Sequence, residues 1–395
     1  MLVIFQLGTV IPVPGIEKNA LSQLLGIGTG SGTLFDLVNI ISGGAMQNAS
    51  IFAMSITPYI NSSIIMQLLA VAIPALEKLS KEGEEGRKVI AKWTRYVTVI
   101  LAFVQASGLY VGMANAGTLQ SPGFLSYVTI TLSFTAGTAF LMWLGEQITE
   151  KGIGNGISIL IFAGIVTRAP ALLVQLWQML KANWLVAILL IVLGLAVIAF
   201  VVMLNDAERR IPVQYAKRVV GRKMYGGQST HVPFKVSMAG VMPIIFASSL
   251  LSFPSTISAM FSAGNTPGWI QWFMGSWLYA VLYFVLIIFF TFFYTAMIYN
   301  PIEMANNIKN NGGFVPGIRP GKPTSEYLTK VMNKVTIIGS IAIALIAVLP
   351  MLMSQGNISV SFGGTSIIIL VGVAIETYRQ LESQMLMRNY KGFLD

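Results

Sequence analysis

The chain has 395 residues, 55% of them hydrophobic and only 10% charged, with a formal net charge of +10 and a mean hydropathy of +0.73. A soluble fold carries about a quarter of its residues charged, so these proportions exclude one and place the chain in a membrane. Cysteine is absent, which excludes disulfides and thiolate metal sites.

A helix needs about 20 mostly apolar residues to cross the hydrocarbon core. The chain opens on an apolar stub, Met1 to Pro12, too short to span alone. It lacks a basic leader and a small-residue cleavage site, so it reads as a first helix without its start rather than a signal peptide. Next comes LFDLVNIISGG: Leu34, Phe35, Asp36, Leu37, Val38, Asn39, Ile40, Ile41, Ser42, Gly43 and Gly44. Leu34, Leu37, Val38 and Ile41 form an apolar stripe at helical spacing, and the glycine pair ends or hinges it. This short piece is either re-entrant and buried by protein or interfacial on the bilayer surface. Composition does not separate the two.

Full crossings follow at about 56–73, 96–114, 125–145, 156–173, 184–204, 237–260, 277–299, 335–353 and 365–378. Continuous apolar runs mean helices, since barrel strands would alternate polar and apolar residues. With the stub, they predict an all-α integral membrane protein of ten transmembrane helices.

The connecting segments alternate between sides. The segments 74–95, 146–155, 205–236, 300–334 and the tail from Arg379 carry 22 of the 25 Lys and Arg residues. The other side holds Lys18, Arg168 and Lys181. The bias puts the first set in the cytosol. The two long basic loops hold more charge than orientation needs and could meet anionic lipid, an acidic partner or RNA phosphate. The lone histidine, His231, falls in the first of them beside Thr230 and Pro233 and reads as solvated or turn-capping. It supplies no histidine metal cluster, HExxH helix or Ser-His pair, and no metal or cofactor site is expected.

Pro58, Ile60 and Ser63 recur as Pro243, Ile245 and Ser248 with identical gaps, and Gly156, Ser158 and Ile161 recur as Gly364, Ser366 and Ile369. The members of each pair lie five crossings apart and so run in opposite directions, as in an inverted repeat. The chain then divides into halves at 1–173 and 184–378. Residues four apart share a helix face, so Ile56 projects with Ile60 and Ile157 with Ile161. Four helices could aim Ile56, Ile60, Ile157, Ile161, Ile245 and Ile369 at one point; ordinary core or lipid-facing packing is the competing reading.

The crossings hold almost no ionisable residue, whereas ion-coupled carriers keep them there. No phosphate-binding GxxxxGK[ST] loop occurs either, so energy must come from a partner. An isoleucine-lined path would exclude ions by dewetting and suit a large, chemically varied substrate. The alternative is a secondary transporter of a small solute, which also uses inverted repeats.

Six stretches resemble the SecY family, the central subunits of the bacterial protein-conducting channel. They are Lys81–Lys88, Gly145–Ser158, Glu208–Arg218, Gly226–Pro233, Asn300–Lys322 and Phe362–Ile367, with a Bacillus-type flavour. The resemblance implies a non-enzymatic channel of two five-helix halves in the cytoplasmic membrane, partnered by SecE and SecG, driven by the motor SecA or the ribosome, and carrying signal peptides and unfolded polypeptide. It implies that the same six isoleucines form a pore ring, that 34–44 is a plug, and that Asn61, Gln105 and Phe253 line a lateral gate to lipid. The loops at 205–236 and 300–334 would dock SecA or the ribosome through Arg209, Arg210, Lys217, Arg218, Arg222, Lys223 and Arg319, with 379–395 a cytosolic tail.

Overall fold

The computed structural model describes residues 1–16, 39, 42–115, 117, 119, 121–215, 218–220, 223–225, 229–261, 268, 272–273, 276–355 and 364–391. The stub forms a short helix, α1 (Leu2–Gly8). The crossings then appear as α2 (Thr57–Ala72) with α3 (Pro74–Lys81), α4 (Glu84–Asn115), α5 (Phe124–Lys151), α6 (Gly156–Thr167) with α7 (Ala169–Ala182), and α8 (Trp184–Asp206). Beyond them lie α9 (Met242–Phe261), α10 (Trp277–Ile298), α11 (Pro301–Asn310), α12 (Lys322–Gln355) and α13 (Gly364–Lys391). Each of the nine expected crossings coincides with a helix or helix pair. By length and apolarity alone six helices qualify among the described residues, or seven if a bent pair is one span.

That bend separates α2 from α3 by 106°. Pro74 bars the preceding residue from helical backbone, and Ile73 is extended at φ −106° and ψ 115°. The expected crossing at 56–73 ends at this turn. Four helices outrun their apolar cores into the basic segments: α4 begins at Glu84, α5 ends at Lys151, α12 begins at Lys322 and α13 ends at Lys391. Glu84 and Glu85 in the first turn of α4 suit the positive end of the helix dipole.

The long basic loops are not two independent loops. Strand β1 (Glu208–Tyr215) pairs antiparallel with β4 (Ser229–Lys235), and its far end pairs with β5 (Gly313–Phe314), joining both loops in one sheet. Between β1 and β4 lies a separate hairpin of β2 (Arg218–Val220) and β3 (Lys223–Tyr225). Ile211, Val213 and Phe234 pack with Ala305 and Ile308 of α11, with Val315, and with Leu328 and Met332 of α12. The basic side therefore carries a small folded unit with its own core. His231 sits exposed on β4 opposite Pro212, in a strand rather than a loop.

The matched residues of the repeat fall at matched points of structure. Pro58 and Pro243 are each the second residue of their helix, and Gly156 and Gly364 each the first. Three residues before each proline the backbone turns left-handed, at Ser55 (φ 53°) and Gly240 (φ 59°). A left-handed residue costs a serine more than a glycine, so the two copies are not equally relaxed.

Helix α5 passes the segment before α2 at Gly137, where an added Cβ would lie 2.1 Å from the Ile51 carbonyl oxygen. Gly137→Ala is expected to cost about 1–3 kcal/mol through overpacking, read as a lowered unfolding midpoint of the purified protein. Gly194→Ala on α8, where nothing lies within 4 Å, is expected to leave the midpoint unchanged or raised. Equal behaviour of the two variants would contradict this contact.

Candidate functional site

Ile56 caps α2, and its carbonyl accepts the Ile60 amide at 3.0 Å, so the two stand one turn apart. Ile157 is the second residue of α6, Ile245 the fourth of α9 and Ile369 the sixth of α13. Ile56, Ile60, Ile161, Ile245 and Ile369 are 0–6% exposed. All five belong to one continuous hydrophobic cluster, against which half-buried Ile157 packs. The helices thus bring the six expected isoleucines into one apolar mass. Val241, the repeat counterpart of Ile56, belongs to the same cluster.

Val241 also lines a cavity of about 460 Å³ whose other walls include Asn155, Ser158, Asn205, Glu376 and Gln380. Its walls mix these polar groups with apolar ones, whereas the cluster is hydrophobic throughout. Across one of its walls Arg379 of α13 donates to the Asp206 carboxylate and to the Asn205 carbonyl at the end of α8. Both partners of this ion pair are substantially exposed, so it contributes under about 1 kcal/mol.

Helix α6 starts inside this assembly, and its start is built with care. The first amides of a helix lack partners within it. Asn155 Oδ1 accepts from Ile157 N at 3.0 Å and from Ser158 N at 3.4 Å, while Thr149 Oγ1 of α5 accepts from Gly156 N at 2.9 Å. Helix α5 meets α6 so closely that a Cβ on Gly156 would lie 1.9 Å from the Gly145 carbonyl oxygen. In the sequence Gly145–Ser158 carries the resemblance and part of the repeat; the structure adds that Gly156 and Gly145 are where the two backbones touch.

Of the expected plug, Leu34, Phe35, Asp36, Leu37, Val38, Ile40 and Ile41 lie outside the described residues. Asn39 and Ser42 are buried. The Asn39 carbonyl accepts from Gly44 N at 2.9 Å and from Ser42 Oγ at 3.0 Å, and its Oδ1 accepts from Gln47 N at 3.1 Å. Gly43 and Gly44 are both left-handed, at φ 68° and 88°, so the glycine pair turns the chain. A Cβ on Gly43 would come within 3.3 Å of Gly164 Cα on α6. Arg168, just past the end of α6, donates to Gln47 Oε1 at 2.7 Å.

Asn61 on α2 and Gln105 on α4 are buried, and Phe253 on α9 is half-buried. Helix α9 packs on both α2 and α4, so these residues belong to three mutually touching helices. The Ser62 hydroxyl donates to the Thr94 carbonyl at 2.8 Å, tying α2 to α4. Buried Ser249 and Ser252 add polar groups on α9.

Arg209 and Arg210 stand exposed on β1, with Arg210 paired to Glu208 at 2.6 Å. Arg218 and Lys223 fall on β2 and β3, while Lys217 and Arg222 lie outside the described residues. Arg319 is exposed in a turn flanked by left-handed Gly317 and Gly321, and its carbonyl accepts from Thr324 Oγ1 at 2.9 Å. Among the described residues no group of acidic, histidine or cysteine side chains could hold a metal ion.

Comparison with known proteins agrees with this architecture. Residues 50–378 match the SecY family. The chain is 46% identical to protein translocase subunit SecY of Streptomyces galbus, covering 100% of this chain and 94% of that one. It is also 46% identical to protein translocase subunit SecY of Escherichia coli K12, covering 100% and 91%. Two distant lineages match equally well, so the Bacillus-type flavour carries no further weight. The fold resembles Sec61 in the canine ribosome-channel complex from the endoplasmic reticulum, with a TM-score of 0.62 at 17% identity over 97% of this chain and 90% of that one. The match to the family spans both repeat copies and all six isoleucines: the chain belongs to the SecY family.

Proposed function

We propose that the chain is the central, pore-forming subunit of a protein-conducting channel in the cytoplasmic membrane of a bacterium. It passes unfolded polypeptides across the bilayer and releases apolar helices sideways into lipid. The observation that supports this reading is that six isoleucines, from four helices of both halves, belong to or pack on one hydrophobic cluster whose Val241 also lines a cavity. The isoleucines form a collar that dewets when idle and deforms around a chain in transit. The cavity is its cytosolic funnel, and the basic loops lie on the cytosolic side. The ten helices form two inverted halves, 1–173 and 184–378, and the segment 34–44 is a plug for the far vestibule.

A solute carrier would place polar or charged groups beside its broken helices at mid-depth. Pro58 and Pro243 start helices next to Ile60 and Ile245 instead, which disfavours that reading. Energy comes from partners: the motor SecA or the ribosome, with SecE and SecG as small companions. They dock through the unit built on β1, β4 and β5 and the adjoining segments, by Arg209, Arg210, Lys217, Arg218, Arg222, Lys223 and Arg319.

The lateral gate is the seam where α9 meets α2 and α4, lined by Asn61, Gln105 and Phe253. Polar contacts between helices in lipid are worth about 0.6–2 kcal/mol. Gln105→Leu is therefore expected to favour the open gate, raising export of a precursor with a weakened signal sequence by about threefold or more. An unchanged signal requirement would contradict the role. Arg319→Glu is expected to slow SecA-driven transport by about tenfold, as loss of a charge-assisted contact allows, with the unfolding midpoint unmoved. Normal transport in that variant would refute docking at this turn.

A further inference from the structure

We propose that Thr149 is a positioning residue that fixes the height of Ile157 and Ile161 in the collar. The inference rests on reading the six isoleucines as that collar. Its ground is the contrast between the caps of α6. Asn155 satisfies Ile157 and Ser158 from within its own segment, so those bonds travel with α6 wherever it sits. Thr149 belongs to α5. Its hydroxyl donates to the Gly145 carbonyl at 2.9 Å and accepts from the Gly156 amide at 2.9 Å. This bond therefore reports, and holds, the position of one helix along the other.

The surroundings make the position narrow. Gly156 has no room for a side chain against Gly145, and a Cβ on Gly145 would stand 3.2 Å from Ile157 Cγ1. Ile157 thus leans on α5 immediately beside the bonded pair. Gly154, left-handed at φ 80°, turns the connection between α5 and α6 so that Asn155 can cap. A slip of α6 by one residue would move Ile157 and Ile161 by about 1.5 Å along the pore, enough to break the level of a collar made of single side chains. A hydroxyl donates to one backbone and accepts from the other at once, and a methyl group does neither, so serine should replace threonine and valine should not.

The test uses the full chain assembled with its partner subunits in liposomes, reading resting chloride leak and thermal midpoint. Thr149→Val is expected to raise the leak about fivefold, the population shift that one neutral hydrogen bond supports. Thr149→Ser should restore tightness. Asn155→Ala, which strips two bonds from the same helix without crossing to α5, should lower the midpoint and leave the leak unchanged. Ile161→Gly serves as the collar control and should leak. A leaking control beside a tight Thr149→Val would overturn the positioning role and leave the collar standing. A tight control would remove the collar and the proposal with it. Equal leak from Asn155→Ala, or no rescue by serine, would reduce Thr149 to an ordinary cap and also overturn the proposal.

Discussion

In hydrocarbon, every backbone N–H and C=O needs a partner within the protein, because water is not there to supply one. A membrane helix can therefore begin or end at mid-depth only where other groups take its orphaned ends. The isoleucines proposed as the collar sit at or near helix starts. Ile56 is a cap, Ile157 and Ile245 lie in first turns, and Ile369 follows one turn in. The apolar waist is thus assembled from helix starts, and its geometry is only as good as the groups that satisfy those starts. At α6 these are Asn155 and Thr149. Before α2 and α9 the backbone turns left-handed, at Ser55 and Gly240.

On the reading of a polypeptide channel, this arrangement solves two opposed demands. A path that accepts any sequence must bind none of it, which favours branched aliphatic side chains over polar ligands. A path that stays closed to ions must exclude water, which the same side chains do by dewetting. The cavity beside the cluster, with Asn155, Ser158, Asn205, Glu376 and Gln380 in its walls, offers the approaching chain polar groups before it meets the waist. The seam where α9 meets α2 and α4 offers a lipid-facing exit, held by contacts weak enough to yield to an apolar segment.

The membrane class was legible because a spanning helix needs a long apolar run. Each of the nine expected crossings falls on a helix or helix pair, and six of the described helices, or seven with the bent pair, are long and apolar enough to cross. The repeat was legible because Pro58 and Gly156 mark helix starts that recur with Pro243 and Gly364. What escaped notice has physical causes. The sheet escaped because Pro212 and Pro233 demote their strands by local rules, and because Gln214 pairs with Phe314 from the other loop, beyond the reach of any local pattern. Alternation of Ile211 and Val213 was the available hint. Thr149 escaped because a threonine near a helix end is unremarkable until its partner on the next helix is known.

The account stands on the greasy waist, and ion permeability measures it most directly. With Ile56, Ile60, Ile157, Ile161, Ile245 and Ile369 all changed to serine, vesicles carrying the assembled channel should lose their chloride gradient far faster than wild-type vesicles. If such vesicles hold the gradient as well as the wild type, the isoleucines are not the seal.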